Sequence, residues 1–395
     1  MVAGALLQKA EHAPADALRA PGNWCACHHP GVQWIGAAIG VVVIALVAWD
    51  LFQTVVVPRP TPGRFRIARY VIRGSWRGVK GIGRRVPPRI RDTLFGLFGP
   101  GVAILLLAVW LGLLIVGLGL VFFALRDQLA PSPPDLSSSI YFAATSVLTI
   151  GYGDFVPTGA ATRVLAIVAA TGGLGAVALV VTFLFSLYGS YQRRELAIVT
   201  LEAAAGGPPS AVALLETYAH LGITDRLDPL FQEWESWSAE VLDSHVAYPL
   251  LGFFRSSHDN LSWISALGTV LDAATLVVTT IEGLPRGSAE LARRVGSHLA
   301  EDLGNLGFHE GETAWLGRDD FEAACDRLER AGYRLADRGA AWGRFEAARL
   351  AYAPRLEGMA NYWAVSATSW LGAGDMARSA VHRPDERQEE APIYL

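Results

Sequence analysis

Three stretches of the chain are apolar for long enough to cross a bilayer, which takes about 20 such residues in a helix. They run from Val32 to Val57, from Pro100 to Leu125 and from Val164 to Tyr188. The second and third carry no charge between their ends, whereas the first contains Gln33, Asp50 and Gln53. Asp50 lies near one end, where a carboxylate reaches the headgroup region or the arginines that follow it. Beyond Leu196 no run is long and apolar enough to span. Apolar positions there recur at helical spacing over Ala211–Leu221, Leu227–His245, Leu261–Ile281, Ala289–Leu303 and Phe321–Leu350, which predicts a bundle of helices. Gly206-Gly207-Pro208-Pro209 marks the break between the last spanning segment and that bundle. Neither alternating strand patterns nor a repeated unit occurs.

Charge adds a direction to this pattern. Every charged residue between Arg59 and Arg91 is basic, and after Glu195 acids outnumber bases and no lysine remains. Basic loops stay on the cytoplasmic side, so the linker between the first two spans is expected inside the cell. Arg193 and Arg194, after the third span, point the same way. The N-terminus and the segment between spans two and three are then expected outside. Within the linker, Phe65, Ile72, Trp76 and Val79 share one helical face, and Arg66, Arg69, Arg73, Arg77 and Lys80 share another. That pattern predicts an amphipathic helix on the inner membrane surface, held by apolar contact and by anionic lipid headgroups. Its arginines are too dense to cross lipid, and one span alone precedes the next module, so a voltage sensor is not expected. With 52% hydrophobic and 18% charged residues and a mean hydropathy of +0.31, the composition is that of a membrane protein. Three cysteines, Cys25, Cys27 and Cys325, build no disulfide framework.

The stretch between spans two and three is the most specific part of the sequence. From Asp135 and the serines that follow it, about ten residues favour a helix too short to cross a bilayer. Such a helix sits at membrane depth only if protein surrounds it. It leads into Thr149-Ile150-Gly151-Tyr152-Gly153-Asp154. The two glycines permit backbone angles that let successive carbonyls point the same way, and Thr149 adds a hydroxyl at the inner end. Stacked carbonyls of this kind replace the hydration shell of an ion.

Ser146 to Gly153 resembles the signature of bacterial potassium channels, on a two-helix pore module from about Pro100 to Arg194. With the first span and the helical pattern after Leu196, this resemblance leads to the expectation of an all-α membrane protein with three transmembrane helices, a re-entrant pore helix and filter, and a soluble helical domain after them. It implies a filter of Thr149, Ile150, Gly151, Tyr152 and Gly153, with potassium as the permeant ion. Tyr141, Phe142, Thr145 and Asp154 are expected to support it, the first two forming an aromatic collar with Tyr152. Gly173 matches the position of a gating hinge, with close helix packing as the other reading of the same glycine cluster. Leu174, Val177 and Val181 would line the cavity, and Phe185 and Tyr188 a lower constriction. One filter sequence per chain calls for four chains, a homotetramer with cyclic symmetry. The divisions that follow are a tail at 1–31, a spanning helix at 32–57, a basic linker at 58–99, the pore module at 100–194, a helical domain at 195–375 and a polar, disordered tail at 376–395.

For the helical domain no ligand is legible. The glycine fingerprint of a dinucleotide fold and the strands of a cyclic-nucleotide fold are missing. Trp234, Trp237, Trp263, Trp342 and Trp363 read as core or subunit contacts. The domain's acidic balance suggests docking beneath the basic helix and coupling to the third span through Arg193–Leu201, with an unidentified cytoplasmic ligand or none. A passive tetramerisation scaffold is the other reading. His245, His258 and Asp259 lie in helical sequence and read as polar surface or capping residues, and Cys25, Cys27, His28 and His29 lack the spacing of a structural zinc site. No cofactor, nucleic-acid partner or enzymatic arrangement is expected. A non-conducting membrane sensor and a weakly selective cation channel are the alternatives that an intact filter argues against.

Overall fold

In a computed structural model the described residues are mostly helical, and the helices named below are those found among them. The structure describes residues 30–57, 66–256, 262–305, 316–365 and 371. The twelve helices are α1 (Pro30–Leu51), α2 (Ile67–Gly83), α3 (Pro88–Ala124), α4 (Leu136–Val147), α5 (Ala160–Ala205), α6 (Ala211–His220), α7 (Leu227–Ala247), α8 (Trp263–Thr279), α9 (Gly287–Gly304), α10 (Arg318–Arg330), α11 (Arg338–Arg349) and α12 (Ala353–Trp363). Among the described residues three helical segments are long and apolar enough to cross a membrane: Gln33–Val56, Pro88–Ala124 and Ala160–Ala205. The protein is an all-α membrane protein with a soluble helical part.

The spanning segments run beyond their apolar stretches. α3 begins at Pro88, and Pro100 lies inside it rather than at its start. The added turns are held by packing: Phe95 and Phe98 stack against Trp76 of α2, with ring centroids 5.3 and 4.8 Å apart. α5 continues through Arg193 and Arg194 to Ala205, where Gly206 ends it at a φ of 80°. A helix interior tolerates such charged turns when tertiary contacts hold them, which hydropathy alone does not register.

α1 packs along α3 through small residues. A Cβ on Gly40 would lie 2.4 Å from the Gly117 carbonyl oxygen, and one on Gly117 would lie 3.0 Å from that of Gly40. Helices approach this closely in membranes when side chains are removed from the contact. The end of α1 turns through a π-helical segment, Phe52–Val56. Among the described residues Asp50 forms no ion pair with the arginines that follow, and Arg66 reaches it through its field alone. Asp50 is buried, and its Oδ2 accepts from the Ala68 amide (3.0 Å) and from Trp110 Nε1 (2.7 Å). The carboxylate thus takes up an orphan amide in the first turn of α2 and locks that helix to α3.

α2 lies where the linker's periodicity predicts it, but its apolar face meets protein. Ile72 and Trp76 are buried, and Trp76 also contacts Phe253 at 5.3 Å. Phe253 belongs to a short 3-10 segment, Pro249–Phe253, between α7 and α8. The helical domain therefore sits against α2, as expected, but aromatic packing carries the contact. The ion pairs that join the domain to the spanning helices are Arg193 with Glu240 and Arg255 with Asp92. Phe65 lies outside the described residues.

In the domain, α8 is buried on all sides and the other helices pack round it. The predicted helix 321–350 is two, α10 and α11, because Gly332 turns the chain at a φ of 98° and Arg334–Leu335 pairs with Ile281–Glu282. α12 was not among the helices expected from the sequence and is found only in the structure. Trp234, Trp237, Trp263 and Trp363 are buried, and Trp342 is half-buried on Phe321. Asp272, at the centre of α8, is bound by Arg349 Nε (3.1 Å) and the Tyr352 hydroxyl (2.6 Å). A buried charge held this way is matched rather than stranded.

Candidate functional site: the pore helix and the loop after it

Asp135 caps α4 as the sequence predicts. Its Oδ1 accepts from the Ser138 amide and from the hydroxyls of Ser137 and Ser138, each at 2.8 Å. These bonds hold its carboxyl below the usual carboxylate range. α4 is twelve residues long and is wedged between α3 and α5. A Cβ on Gly119 of α3 would lie 2.9 Å from the Ile140 Cα. On the other side, a Cβ on Gly173 of α5 would lie 2.1 Å from the Val147 carbonyl oxygen. Gly173 thus admits the C-terminal end of α4, and α5 runs unbroken through it.

The loop after α4 is tied to that helix end. Ile150 N donates to the Thr145 carbonyl (2.8 Å) and Thr149 N to that of Ser146 (3.1 Å). Thr145 is buried, its hydroxyl donating to the Phe142 carbonyl at 3.0 Å. The backbone then alternates: φ is 55° at Thr149, 62° at Gly151 and 81° at Gly153, with Ile150 and Tyr152 outside that region. Every second residue is left-handed. The two glycines adopt this freely. Thr149 does not, because a β-branched residue at positive φ is strained by about 1–3 kcal/mol. Thr149 and Ala364 are the non-glycine residues with positive φ among those described. Alternation of this kind turns successive peptide groups so that their carbonyls lie along one side of the strand.

Side chains of the loop are turned away from their own chain. Ile150 and Tyr152 are exposed, Tyr152 by 70%. Within one chain Tyr152 acts on Tyr141 through its field. Phe155 stands beside Tyr141 and Phe142, 6.4 Å from both rings, while Phe142 stacks on Phe122 at 4.8 Å. Asp154 accepts from the Phe155 amide at 3.2 Å and interacts with the Tyr141 hydroxyl.

A clamp that the sequence did not reveal closes the outer end. The Gln128 carbonyl accepts from the amides of Thr158 (2.9 Å) and Gly159 (3.3 Å) and from the Thr162 hydroxyl (3.0 Å). Leu129–Ala130 pairs antiparallel with Val156–Pro157. Two-residue strands leave no period to read, so this signal lies below what a pattern can carry.

α5 has two faces. Gly173, Ala176, Val180, Phe183 and Leu187 are buried against the chain itself. Leu174, Val177, Val181, Phe185 and Tyr188 are exposed, Phe185 by 76%. These apolar side chains share one stripe below the loop.

Below that stripe, Arg194 is buried at 2% exposure. It donates to the carbonyls of Phe254 (2.6 Å) and Leu251 (3.2 Å), and pairs with Glu195 at 3.0 Å. Its own carbonyl accepts from Trp237 Nε1 (3.2 Å), and Glu195 Oε2 accepts from the Ser256 hydroxyl (2.5 Å). α5 is thereby fixed, well before its end at Ala205, to the stretch after α7 that touches α2. His245, read from sequence as a surface or capping residue, is buried here with Nε2 3.3 Å from Arg194 Nη1. Burial, and then the guanidinium, push it down to about 3, so the ring is neutral. Burial also pushes Cys325 up to about 11, an inert thiol. His258, Asp259 and the Cys25–His29 cluster lie outside the described residues. Among the described residues no three metal-ligating side chains come together.

Comparison with known proteins gives one finding. A family model described as "Ion channel" matches residues 108–189, from the middle of α3 through α4 and the loop to the inner part of α5. No curated protein and no solved structure matches the chain. The matched segment contains α4, the loop after it, the Gln128 clamp and the apolar stripe of α5, and ends before Arg194; this part of the chain is similar to an ion channel family.

Proposed function

We propose that the protein is a potassium-selective channel in which four chains surround one pore. Thr149, Ile150, Gly151, Tyr152 and Gly153 supply the carbonyls, and the Thr149 hydroxyl the innermost ligand. The observation that carries this reading is the alternation of left-handed residues at 149, 151 and 153 in an exposed loop held by the end of a buried short helix. Carbonyl rings replace a hydration shell only when several chains present them to one axis. A single chain leaves the loop and the apolar stripe of α5 uncovered, and fourfold symmetry covers both. The negative end of the α4 dipole faces the cavity below the filter, where it favours a cation. Asp154 raises cation concentration at the mouth.

The basic linker and the helical domain lie on the cytoplasmic side in this reading, and the N-terminus outside. Phe185 and Tyr188 form the constriction at the cytoplasmic end of the cavity. Gating passes through the Arg194 clamp, which joins α5 to the domain and to α2. The test is ion flux into liposomes holding the purified protein. Potassium uptake well above sodium uptake, lost in Gly151→Asp, is the expected result. Equal uptake of both ions would overturn the selectivity, and no uptake by a protein that does not assemble would overturn the channel.

A further inference from the structure

Within one chain the loop of residues 149–153 is held at its two ends. At the inner end the amides of Thr149 and Ile150 donate to carbonyls of α4. Among the described residues no hydrogen bond within the chain reaches Gly151, Tyr152 or Gly153. A Cβ on either glycine would meet nothing within 4 Å, and Tyr152 is exposed. Glycine passes easily between backbone conformations. The places of these carbonyls are therefore set by whatever holds the outer end.

That end begins at Asp154 and Phe155. Phe155 is half-buried and packs on the smaller hydrophobic core, which includes Leu129, Phe142 and Ala143. Its ring meets Tyr141 and Phe142 of α4 edge-to-face, at 6.4 Å each and with interplanar angles of 68° and 61°. Phe142 in turn meets Phe122 of α3 at 4.8 Å and 69°. The charge distribution of aromatic rings favours such angles as well as such distances, so the contact fixes an orientation that plain apolar packing leaves open. A run of rings thus leads from α3 through α4 to a residue two places beyond Gly153. Asp154 closes on the same point, accepting from the Phe155 amide at 3.2 Å and interacting with the Tyr141 hydroxyl. After Phe155 the main chain is fixed again, by the pairing of Val156–Pro157 with Leu129–Ala130 and by the Gln128 carbonyl. Phe155 is the first side chain after the loop to enter the core.

We propose that Phe155 is a positioning residue for ion discrimination: seated on Tyr141 and Phe142, it fixes where Gly153 lies and so holds the carbonyls of residues 151–153 in register. The assignment rests on the channel reading given above and adds to it a residue outside the loop itself. The contact lies within one chain. Its loss therefore alters discrimination between potassium and sodium and leaves the assembly of chains intact.

The test uses the purified full-length protein in liposomes, with uptake of potassium and of sodium measured for each variant, and with oligomer size and Tm recorded in detergent. Phe155→Ala is expected to lower the potassium-to-sodium uptake ratio by about tenfold, with oligomer size unchanged. Phe155→Tyr keeps the ring and most of the ratio, and Phe155→Leu, an apolar wedge without a ring, keeps part of it. Leu118→Ala is the comparison, since Leu118 is a buried member of the same core on α3. It should lower Tm and leave the ratio intact. An unchanged ratio in Phe155→Ala, a smaller oligomer in that variant, or an equal fall in Leu118→Ala would overturn the assignment. If Phe155→Ala does not fold, an unchanged ratio in Phe155→Leu overturns it in the same way. Equal uptake of both ions by the wild-type protein would overturn the channel reading, and this assignment with it, so the two failures are told apart.

Discussion

At Thr149 the chain accepts a backbone conformation that its side chain opposes. Glycine would relieve that strain, so the hydroxyl is the part worth keeping at this position. Thr149→Gly is accordingly expected to raise thermal stability slightly and to lower potassium discrimination in the same protein, read by Tm in detergent and by flux ratio. A gain in both would detach the residue from ion binding. Gly153→Ala makes the reverse test. No atom of the chain lies within 4 Å of the added methyl, so the cost is the φ of 81°. That strain, about 1–3 kcal/mol, is expected to deform the loop and lower selective flux at least tenfold, with the helical content by circular dichroism unchanged. Elsewhere Glu357 of α12 is buried, and burial pushes it up to about 7 from an ordinary 4.5. The folded protein then holds a proton that the unfolded chain releases, so stability falls as pH rises from about 4.5 to about 7 and is level above. Glu357→Gln should raise Tm at pH 8 and leave it unchanged near pH 4. An equal shift at both would refute the assignment.

Among the elements, the segment from Pro249 to Ser256 does more than its length suggests. It contacts α2 through Phe253, α3 through Arg255, and α5 through the carbonyls that Arg194 holds. Arg194→Gln removes the charge of the clamp and leaves Glu195 buried, a loss of about 3–5 kcal/mol. The expected outcome is a lower Tm and altered open probability, with the potassium-to-sodium ratio intact. Arg193→Gln, on the exposed neighbour paired with Glu240, should change either quantity little. If both variants behave alike, the clamp is not the coupling element. The sequence made α4 legible from its cap and its length, and α2 from its amphipathic period. Neither the clamp nor the Asp50 bond to Trp110 was legible, because each joins residues far apart in sequence and polar contacts leave no period. The start of α3 was missed because Pro100 reads as a first-turn proline, whereas Phe95 and Phe98 extend the helix by tertiary packing.

For the whole molecule, the spanning helices share one hydrophobic core with the helical domain, and the wedged short helix sits in a second, smaller one with α3 and α5. Removing residues 206–395 separates the domain's two possible roles. A change in open probability with assembly retained marks a sensor, and a loss of assembly marks a scaffold. The ion-channel segment was the most legible part, since its expectation rested on six consecutive residues inside the stretch that the family model matches. What the sequence could not show is how the loop's backbone alternates, or that Phe155 stands beside Tyr141 and Phe142 within the chain. The central claim is selectivity for potassium through this loop. The direct measurement is the reversal potential of the purified full-length protein in a planar bilayer, with potassium on one side and sodium at equal concentration on the other. The account predicts a potential displaced far from zero in the direction of potassium selectivity, collapsing towards zero when Gly153→Ala deforms the loop. A reversal potential near zero in the wild-type protein would contradict it.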